Sequence, residues 1–365
     1  MNKLKQLTLK GFKSIKTMDI DLRPLNILIG ANGAGKSNLI SFFKMINEMM
    51  AGRFQEYIGK SGRSQTLLHF GPKITPQLEA KLEFEVEKDI DTYSLRLFHA
   101  AGDTLIFAEE SLSFLQTGWS HPRLDNLGAG HGETKLNKAA DEGKPTAKTL
   151  KYLLDRCRVY HFHDTSSTAG VRQSCYVGDN RWLMADASNL AALLLKFCQE
   201  DSSVYQRIIG TIRLIAPFFD NFVLEPVNNF VMLNWLEKGS DRVFGPHQFS
   251  DGTLRAICLI TLLLQPEDQL PELIVVDEPE LGLHPYALNI IAALFSKASH
   301  HSQILISTQS SSFLDNFEPE DIITVNRDGK DSQFKRLSSG ELEDWLNDYS
   351  LGEVWEKNII GGGPH

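Results

Sequence analysis

The chain has 365 residues, a length that fits two domains or one domain with a large insertion. Its residues are 42% hydrophobic and 23% charged, which is typical of a globular protein able to bury a sizeable core. The net charge of −9 argues against a surface that binds nucleic acid everywhere, but it does not exclude a local basic groove. The longest apolar stretch, near 256–264, is too short to cross a bilayer.

Four cysteines are widely spaced and form no CxxC pair: Cys157, Cys175, Cys198 and Cys258. Such spacing is typical of reduced thiols rather than of a disulfide framework or a zinc site. The basic N-terminus lacks the apolar segment of a signal peptide. We therefore expect a cytoplasmic protein with no membrane contact.

The first third of the chain predicts a strand-rich lobe. Strands are predicted at Leu4–Leu9, Met18–Leu22 and Leu25–Ile29, and the third leads through a glycine-rich turn into an amphipathic helix. Polar and apolar residues alternate from about 78 to 114, which predicts an antiparallel β meander. Residues 117–148 are rich in glycine and charge, and they are predicted to form a mobile surface insertion without regular structure.

The rest of the chain predicts an α/β arrangement. Its first part predicts a short helix from Leu150, a strand at Arg158–Phe162, a small helical lobe over 187–217, and one or two strands within Phe222–Trp235. Its second part predicts a helix from Gly252, a strand at Leu273–Val276, a helix after Pro285, a strand at Gln303–Ser307, a hairpin over Ile322–Leu337 and a helix from Ser339.

These elements suggest five successive regions. They are an N-terminal lobe with the meander (1–116), the insertion with a short helix (117–157), a strand and helical lobe (158–245), a C-terminal lobe (246–338) and a terminal helix with a tail (339–365). The α/β class follows from the alternation in the first and fourth regions.

The segment Gly30–Ser37 reads GANGAGKS, a complete phosphate-loop pattern between a strand and a helix. Its glycines let backbone N–H groups surround a phosphate, and the positive end of the helix faces the same anion. Lys36 is placed to reach the β- and γ-phosphates, and Ser37 to ligate Mg²⁺. The sequence therefore predicts ATP and Mg²⁺ as cofactors, with nucleotide contacts from Gly30, Asn32, Gly33, Gly35, Lys36, Ser37 and Asn38.

The second signal is the segment Leu273–Glu278, which reads LIVVDE. It is an apolar strand that ends in two acids, Asp277 and Glu278. Asp277 can hold Mg²⁺ through water at the edge of the sheet. Glu278 can orient and deprotonate an attacking water. Acids at a strand end are a weak signal alone, but the phosphate loop upstream favours a functional interpretation.

The segment Phe249–Arg255 reads FSDGTLR and precedes a predicted helix. Ser250 can cap that helix, and Gly252 permits a close backbone approach. One interpretation is a plain helix cap. The other is an anion site at the helix N-terminus that reaches a γ-phosphate held by another subunit.

Together, the phosphate loop, SDGT before a helix and a hydrophobic strand ending in DE resemble the ABC-type ATPases, and within them the SMC/RecF/OLD-like class. GFKSIK near the start, DEPELGLHP at Asp277–Pro285 and STQS at Ser307–Ser310 fit that class, over about 1–50 and 245–330. The resemblance implies an ABC ATPase head with a mixed core sheet, an antiparallel meander and a small helical lobe. It also implies a head-to-tail homodimer that closes two ATP sites.

The resemblance implies roles for further residues. Lys13 would lie near the phosphates, Leu281–Pro285 would be the D-loop at the dimer seam, and the signature that completes the partner's site would comprise Ser250, Gly252 and Thr253. One departure is Gln309, which stands where the family has a switch histidine. Glutamine can hydrogen-bond a γ-phosphate but carries no charge, so we expect slow or differently gated catalysis by Gln309, Glu278 and Lys36. The long coiled coil of SMC-like repair proteins is also absent.

The segment Val159–Thr165 reads VYHFHDT, at the position where relatives carry a glutamine that contacts Mg²⁺. By position, His163 or Asp164 would take that role. A separate metal site from His161, His163 and Asp164 is an alternative, because residues two apart on a strand share a face. Polar residues at the exit of a strand are a third interpretation. We place the glutamine-loop role above the separate metal site.

We expect an ATPase that gates a separately encoded effector, such as a nuclease, in antiphage defence or DNA surveillance. The alternative is a RecF-like repair ATPase that binds DNA directly. Nuclease-bearing relatives carry a Toprim domain after the ATPase, whereas about 35 residues follow the strand near Arg327 here. Their acids are expected on a solvated helix face: Glu341, Glu343, Asp344 and Asp348.

Overall fold

The secondary structure of residues 2–363, described by a computed structural model, combines strands and helices along the whole chain. The strands are β1 (Lys3–Phe12), β2 (Ile15–Asp21), β3 (Leu25–Ile29), β4 (Gln77–Val86), β5 (Asp89–Ala100), β6 (Thr104–Leu115), β7 (Arg123–Gly128), β8 (Cys157–Tyr160), β9 (Cys175–Tyr176), β10 (Phe219–Val223), β11 (Phe230–Val231), β12 (Asn234–Glu237), β13 (Val243–Phe244), β14 (Leu273–Asp277), β15 (Gln303–Thr308), β16 (Ile322–Asp328) and β17 (Asp331–Arg336).

The helices pack around these strands. They are α1 (Lys36–Met50), α2 (Phe54–Lys60), α3 (Arg63–Leu67), α4 (Leu136–Asp141), α5 (Pro145–Asp155), α6 (Leu190–Glu200), α7 (Ser202–Ile215), α8 (Asp251–Leu263), α9 (Pro285–Ala298), α10 (Ser311–Leu314), α11 (Ser339–Leu346) and α12 (Leu351–Glu356). Across residues 2–363, every helix is too short or too polar to traverse a lipid bilayer.

Two six-stranded sheets form the frame. One is an antiparallel sheet with the order β2-β1-β4-β5-β6-β7. The other, which we call the core sheet, has the order β17-β16-β3-β15-β14-β8 and is parallel except for the β16–β17 hairpin. Its parallel strands bring their carboxyl ends to a single edge, and ligands bind at such an edge in open α/β sheets. The fold is thus the mixed α/β architecture that the sequence predicts.

The core sheet is buried on both faces, as alternation along β14 shows. Ile274 and Val276 join the apolar core formed with α6, α7, α8 and α9, whereas Leu273 and Val275 join the core shared with α1, α5 and the antiparallel sheet. Side chains on a strand point alternately to opposite faces, so one buried strand contributes to both cores. The two cores hold the central strands rigidly, and this rigidity positions the side chains at their ends.

The prediction of an unstructured insertion at 117–148 is wrong. This segment contains β7, which pairs with β6, and α4, whose Leu136, Ala139 and Ala140 are buried. The anchor is Glu110 on β6, a carboxylate with no solvent exposure. It accepts hydrogen bonds from the backbone N–H of Lys135 at 2.9 Å and from the Thr134 hydroxyl. A tertiary contact therefore orders a segment whose own composition favours a loop.

Two further groups complete the shell around Glu110. The Tyr93 hydroxyl donates to the carboxylate at 2.6 Å, and the His131 ring nitrogen Nε2 lies 2.8 Å from it. Burial raises the pKa of Tyr93 well above its ordinary value, so the phenol keeps its proton and remains a donor. Each carboxylate oxygen consequently has partners, which is the condition for burying a charged group.

We expect Glu110→Ala to lower the free energy of unfolding by roughly 2–4 kcal/mol, because it removes the acceptor shared by the Tyr93 hydroxyl, the Thr134 hydroxyl and the Lys135 N–H. Urea denaturation followed by circular dichroism measures the change. The neighbouring Glu109→Ala is the control, since Glu109 is exposed and its ion pair with Arg96 contributes less than about 1 kcal/mol. Equal effects of the two substitutions would contradict the anchoring role.

Candidate ATP site

The phosphate loop leaves β3 in the middle of the core sheet and ends at the first residue of α1, Lys36. Lys36 is only 5% exposed, and its ammonium donates to the backbone oxygens of Gly30 and Ala31, the latter at 3.2 Å. Burial lowers its pKa, and nearby carboxylates oppose that shift, in decreasing order Glu278, Asp277 and Glu280. The predicted lysine and the predicted acids are therefore close together.

Backbone geometry requires glycine at Gly35. This residue has φ of +116°, and a Cβ there would collide with the hydroxyl group of Ser332 and lie 2.9 Å from that of Ser14. Only glycine adopts this conformation without strain. The other predicted loop residues lie beside it: Asn32, Gly33 and Ser37 are exposed to solvent, and Asn38 donates to the Ser14 hydroxyl at 2.6 Å. Exposed donors along a loop at a helix N-terminus suit an anionic ligand.

Asp277 is the last residue of β14 and Glu278 follows it; β14 is separated from β3 by β15 alone. Burial raises the pKa of Asp277, although the nearby Ser307 hydroxyl opposes that shift. By distance, the buried Oδ1 atom of Asp277 has no hydrogen-bond partner among residues 2–363. Glu278 has a left-handed backbone with φ of +43°, and its N–H donates to the Ser307 carbonyl at 2.7 Å. A strained conformation and an unpaired buried oxygen at a strand end are features of functional sites.

Gln309 contacts Glu278 directly, because its side-chain amide donates to the Glu278 carboxylate. The segment around Gln309 is held by Glu280, which accepts hydrogen bonds from the Thr308 hydroxyl at 2.6 Å and from the Gln309 N–H at 2.9 Å. Burial raises the pKa of Glu280. Glu280 thus positions the glutamine that reaches Glu278.

The sensor segment, His161–Asp164, leaves β8 at the same edge of the sheet. The His163 ring nitrogen Nε2 lies 2.8 Å from the Asp277 backbone oxygen. Asp164 is exposed, and its carboxylate instead accepts the Ser166 N–H at 3.0 Å. Of the two predicted candidates, the structure therefore places His163 beside Asp277 at the end of β14, whereas Asp164 is exposed to solvent.

The alternative of a metal site built from His161, His163 and Asp164 has no support in the geometry. Over residues 2–363, no group of three or more His, Cys, Asp or Glu side chains is arranged to hold a metal ion. Burial, Lys44 and His163 together lower the pKa of His161 to about 4. His161 is a neutral imidazole at the end of a strand, and it shares no ligand cluster with Asp164.

Lys13 approaches the same region from the turn between β1 and β2. It has φ of +48°, and its ammonium donates to the Ser41 hydroxyl on α1 at 2.6 Å. Burial lowers its pKa, with a smaller contribution from Lys44. A cavity of about 590 Å³ opens here beside the phosphate loop, and its lining includes Lys13, Ser14, Asn38, Phe70, Arg327 and Lys330. These side chains surround a cleft rich in cations.

Ser250 caps α8, since its hydroxyl accepts the Thr253 N–H at 3.2 Å. A Cβ at Gly252 would collide with the carbonyl oxygen of Gly282. The signature segment, Ser250–Thr253, is therefore packed against the D-loop segment, Leu281–Pro285, of the same chain. Glycine is required at 252 by this internal contact, whereas the sequence alone suggests an approach to a ligand.

Two arginines clamp the signature segment to the rest of the site. Arg172 is 4% exposed, and its guanidinium donates to the Thr165 carbonyl at 2.8 Å and to the Asp251 carboxylate at 2.9 Å. Arg255 donates to the His163 carbonyl at 2.8 Å and to the Leu281 carbonyl at 3.0 Å. The guanidinium fork has five donors, so a single side chain can join three segments.

The sequence did not predict a role for four residues near the candidate site: Lys44, Arg172, Glu280 and Arg255. Lys44 has a weak signal, because it lies two helical turns after Ser37 on α1 and so shares its face. Glu280 and Arg255 stand inside the recognised DEPELGLHP and FSDGTLR segments. Arg172 has no sequence signal, since its partners are up to 79 residues away.

A phosphate loop after β3, an acidic pair two strands away and a capped helix packed on the Leu281–Pro285 segment are the features by which this chain resembles the ABC-type ATPases. Two family models of the AAA type match separate parts of the chain. One, described as "AAA ATPase domain", matches residues 2–102, and another, described as "AAA domain, putative AbiEii toxin, Type IV TA system", matches residues 185–315. A search of curated proteins finds no match.

Solved SMC head domains share the fold. An SmcHead bound to the C-winged helix domain of ScpA has 18% sequence identity and a TM-score of 0.63, covering 94% of this chain and 99% of that chain. An Smc head domain with an extended coiled coil, bound to the C-terminal domain of ScpA and derived from Pyrococcus furiosus, has 15% identity and a TM-score of 0.64, covering 95% and 99%. The chain therefore has the fold of SMC head domains.

We expect Arg172→Met to loosen the signature segment, because loss of a charged hydrogen bond costs about 1.5–3 kcal/mol. Amide hydrogen exchange over residues 246–254 should accelerate by roughly tenfold or more. Arg172→Lys should give an intermediate rate, since lysine keeps the charge but loses the fork. Arg207→Met on the exposed face of α7 is the control. Unchanged exchange in Arg172→Met would show that other contacts hold the segment.

Proposed function

We propose that the chain hydrolyses ATP with Mg²⁺ at the interface of a head-to-tail homodimer. The observation that carries the proposal is the buried Lys36, which lies at the start of α1 within the electrostatic reach of Asp277 and Glu278. A buried ammonium whose donors rest on loop carbonyls can redirect them to phosphate oxygens when a nucleotide binds. The cavity beside Lys13 and Phe70 would receive the rest of the nucleotide.

The donor set suits Mg²⁺, which prefers oxygen ligands and retains several waters. Ser37 offers an exposed hydroxyl in the first turn of α1, and Asp277 offers a buried carboxylate oxygen without a partner. When bound, the ion would neutralise charge on the phosphates. Because burial raises the pKa of Asp277, protonation competes with metal binding at a higher pH than for an ordinary aspartate.

Glu278 would accept the proton of the attacking water. Glu278 has a left-handed backbone, and the side-chain amide of Gln309 donates to its carboxylate and holds it in place. Gln309 stays neutral through the reaction and so orients without adding charge. His163, next to the Asp277 carbonyl, would occupy the position of the glutamine-loop sensor.

The dimer proposal rests on what the signature segment contacts. Ser250 is exposed, and within residues 2–363 its side chain bonds only to Thr253 of its own segment. Leu281 and Tyr286, in and beside the D-loop segment, are large apolar residues left 38% and 56% exposed. An exposed helix N-terminus beside apolar side chains suits a second subunit that presents a phosphate.

We expect Glu278→Gln to reduce ATP turnover by at least about 100-fold while retaining ATP, so that a closed dimer accumulates. Light scattering after gel filtration measures the dimer. Adding Ser250→Arg to the Glu278→Gln chain should abolish that dimer but leave nucleotide binding intact, whereas adding Lys36→Ala should abolish both. Turnover at the wild-type rate in Glu278→Gln would refute the assigned base. A dimer that survives Ser250→Arg would refute the arrangement in trans.

We further propose that the ATP cycle controls a separately encoded effector, such as a nuclease, in antiphage defence or DNA surveillance. Two observations support this output. The recognisable chemistry of the described residues is concentrated on ATP, and one matching family model carries a toxin–antitoxin description. Closure of two heads around ATP shifts a population between two states, and a docked partner can respond to that shift.

The output is tested with the purified chain on plasmid DNA, single-stranded DNA and RNA, in the presence of ATP, Mg²⁺ and Mn²⁺. We expect no cleavage by the chain alone, and cleavage or another toxic activity after the product of a neighbouring gene is added. Lys36→Ala is the control, since it should remove activation. Cleavage by the chain alone that disappears in a point variant of this chain would contradict a separate effector.

A further inference from the structure

A basic cavity of about 290 Å³ lies beside β8, the edge strand of the core sheet. Its lining includes Arg156, Arg158, Arg181, Trp182 and Lys196, with Asp268 as an acid on the wall. The cavity is formed by four separate parts of the chain: β8 with the residue before it, the loop before α6, α6 itself, and the segment 268–271 before β14. Four cations in one concavity are unusual for a chain with a net charge of −9.

Most of this positive charge lacks a carboxylate partner. Arg156 is engaged, since its guanidinium donates to the Asp268 carbonyl at 3.2 Å and lies 3.7 Å from Glu272. Arg158, Arg181 and Lys196, by contrast, have no carboxylate within 4.0 Å anywhere in the described part of the chain. Uncompensated cations in a concave site concentrate positive potential and attract an anion.

Trp182 gives the cavity a flat aromatic surface. The guanidinium carbons of Arg158 and Arg181 lie 4.9 and 4.8 Å from the centre of its ring. The Trp182 side chain is nevertheless 40% exposed, so part of it remains accessible to a ligand. An arginine stacked on an aromatic ring keeps its in-plane N–H donors free for phosphate oxygens, and its own plane can stack on a base.

We propose that this cavity binds a nucleotide unit of a single-stranded nucleic acid. Free guanidinium donors suit the phosphate, and the indole and guanidinium planes suit an unpaired base. The volume favours one nucleotide over a duplex, because small-ligand clefts begin at about 300 Å³. An acidic peptide would use the cations but would leave the exposed aromatic surface without a role.

The cavity is joined to the ATP site by two short connections. β8 carries Arg158 and continues into the sensor segment, where His163 contacts the Asp277 carbonyl. The loop that carries Trp182 returns to the same segment, because the His161 N–H donates to the Ala185 carbonyl at 2.8 Å. A nucleic acid bound in the cavity would therefore contact β8 and the Trp182 loop, which are both connected to the sensor segment. Binding in the cavity should consequently change ATP turnover.

The test measures binding of the full chain to fluorescein-labelled 20-mers by anisotropy without ATP, so that it does not depend on the proposed ATPase activity. We expect single-stranded DNA or RNA to bind more tightly than the matching duplex, with affinity that falls as salt rises. Arg158→Ala/Arg181→Ala should weaken binding by roughly tenfold or more, and Trp182→Ala by about fivefold or more. Arg181→Glu alone changes an exposed loop residue, so it should fold and also weaken binding.

The charge-matched control is Arg207→Ala/Arg242→Ala, which removes two arginines outside the cavity. Arg242 also stacks on an aromatic ring, at 5.2 Å from the centre of Phe244, so the control removes a similar contact. It should change the affinity by less than about threefold. The proposal would be overturned if the two double variants lost the same affinity, or if single-stranded and duplex oligonucleotides bound equally well. It would also be overturned if polyglutamate competed as strongly as an oligonucleotide, or if free AMP bound and no oligonucleotide did.

Discussion

The buried ammonium of Lys36, which donates to the carbonyls of Gly30 and Ala31 at one edge of the core sheet, is the feature on which the candidate ATP site depends. Burial of a cation is unfavourable unless its charge is compensated. Here Glu278, Asp277 and Glu280 offset only part of the burial, since the pKa of Lys36 remains lowered. The arrangement exists because β3 and β14 flank β15 and all three are parallel, so their carboxyl ends meet. Two apolar cores hold these strands and thereby fix the position of each charge.

The same edge receives the elements that would sense a nucleotide. Arg255 joins the start of α8 to the carbonyls of His163 and Leu281, and Arg172 joins the loop after β8 to Asp251. The signature, sensor and D-loop segments are thus one hydrogen-bonded unit within a single chain. If a second chain closes on this unit, a movement of one segment is transmitted to the others through these two side chains. The basic cavity is connected to this unit through β8, which carries Arg158 and continues into the sensor segment.

Much of the fold was predictable because its signals are local. The phosphate loop, the meander and the apolar strand before Asp277 are patterns over a few neighbouring residues, and the structure has an element at each of these positions. The predicted strand starting at Arg158 corresponds to β8, which begins one residue earlier and ends at Tyr160. Boundaries shift in this way because they are decided by hydrogen bonds to partners distant in sequence, such as the pairing of Cys157 with Leu273.

The sequence by itself predicted the α/β fold class and the resemblance to ABC-type ATPases, since phosphate loops and acidic strand ends require particular residues at fixed spacing. Only the tertiary structure decided which polar residues meet. It ordered the segment at 117–148 through a buried carboxylate, Glu110, and it chose His163 over Asp164 beside the acidic strand. It also placed Arg172 against Asp251. In each case the free energy comes from a contact between residues far apart in the chain, for which a single sequence carries no periodic signal.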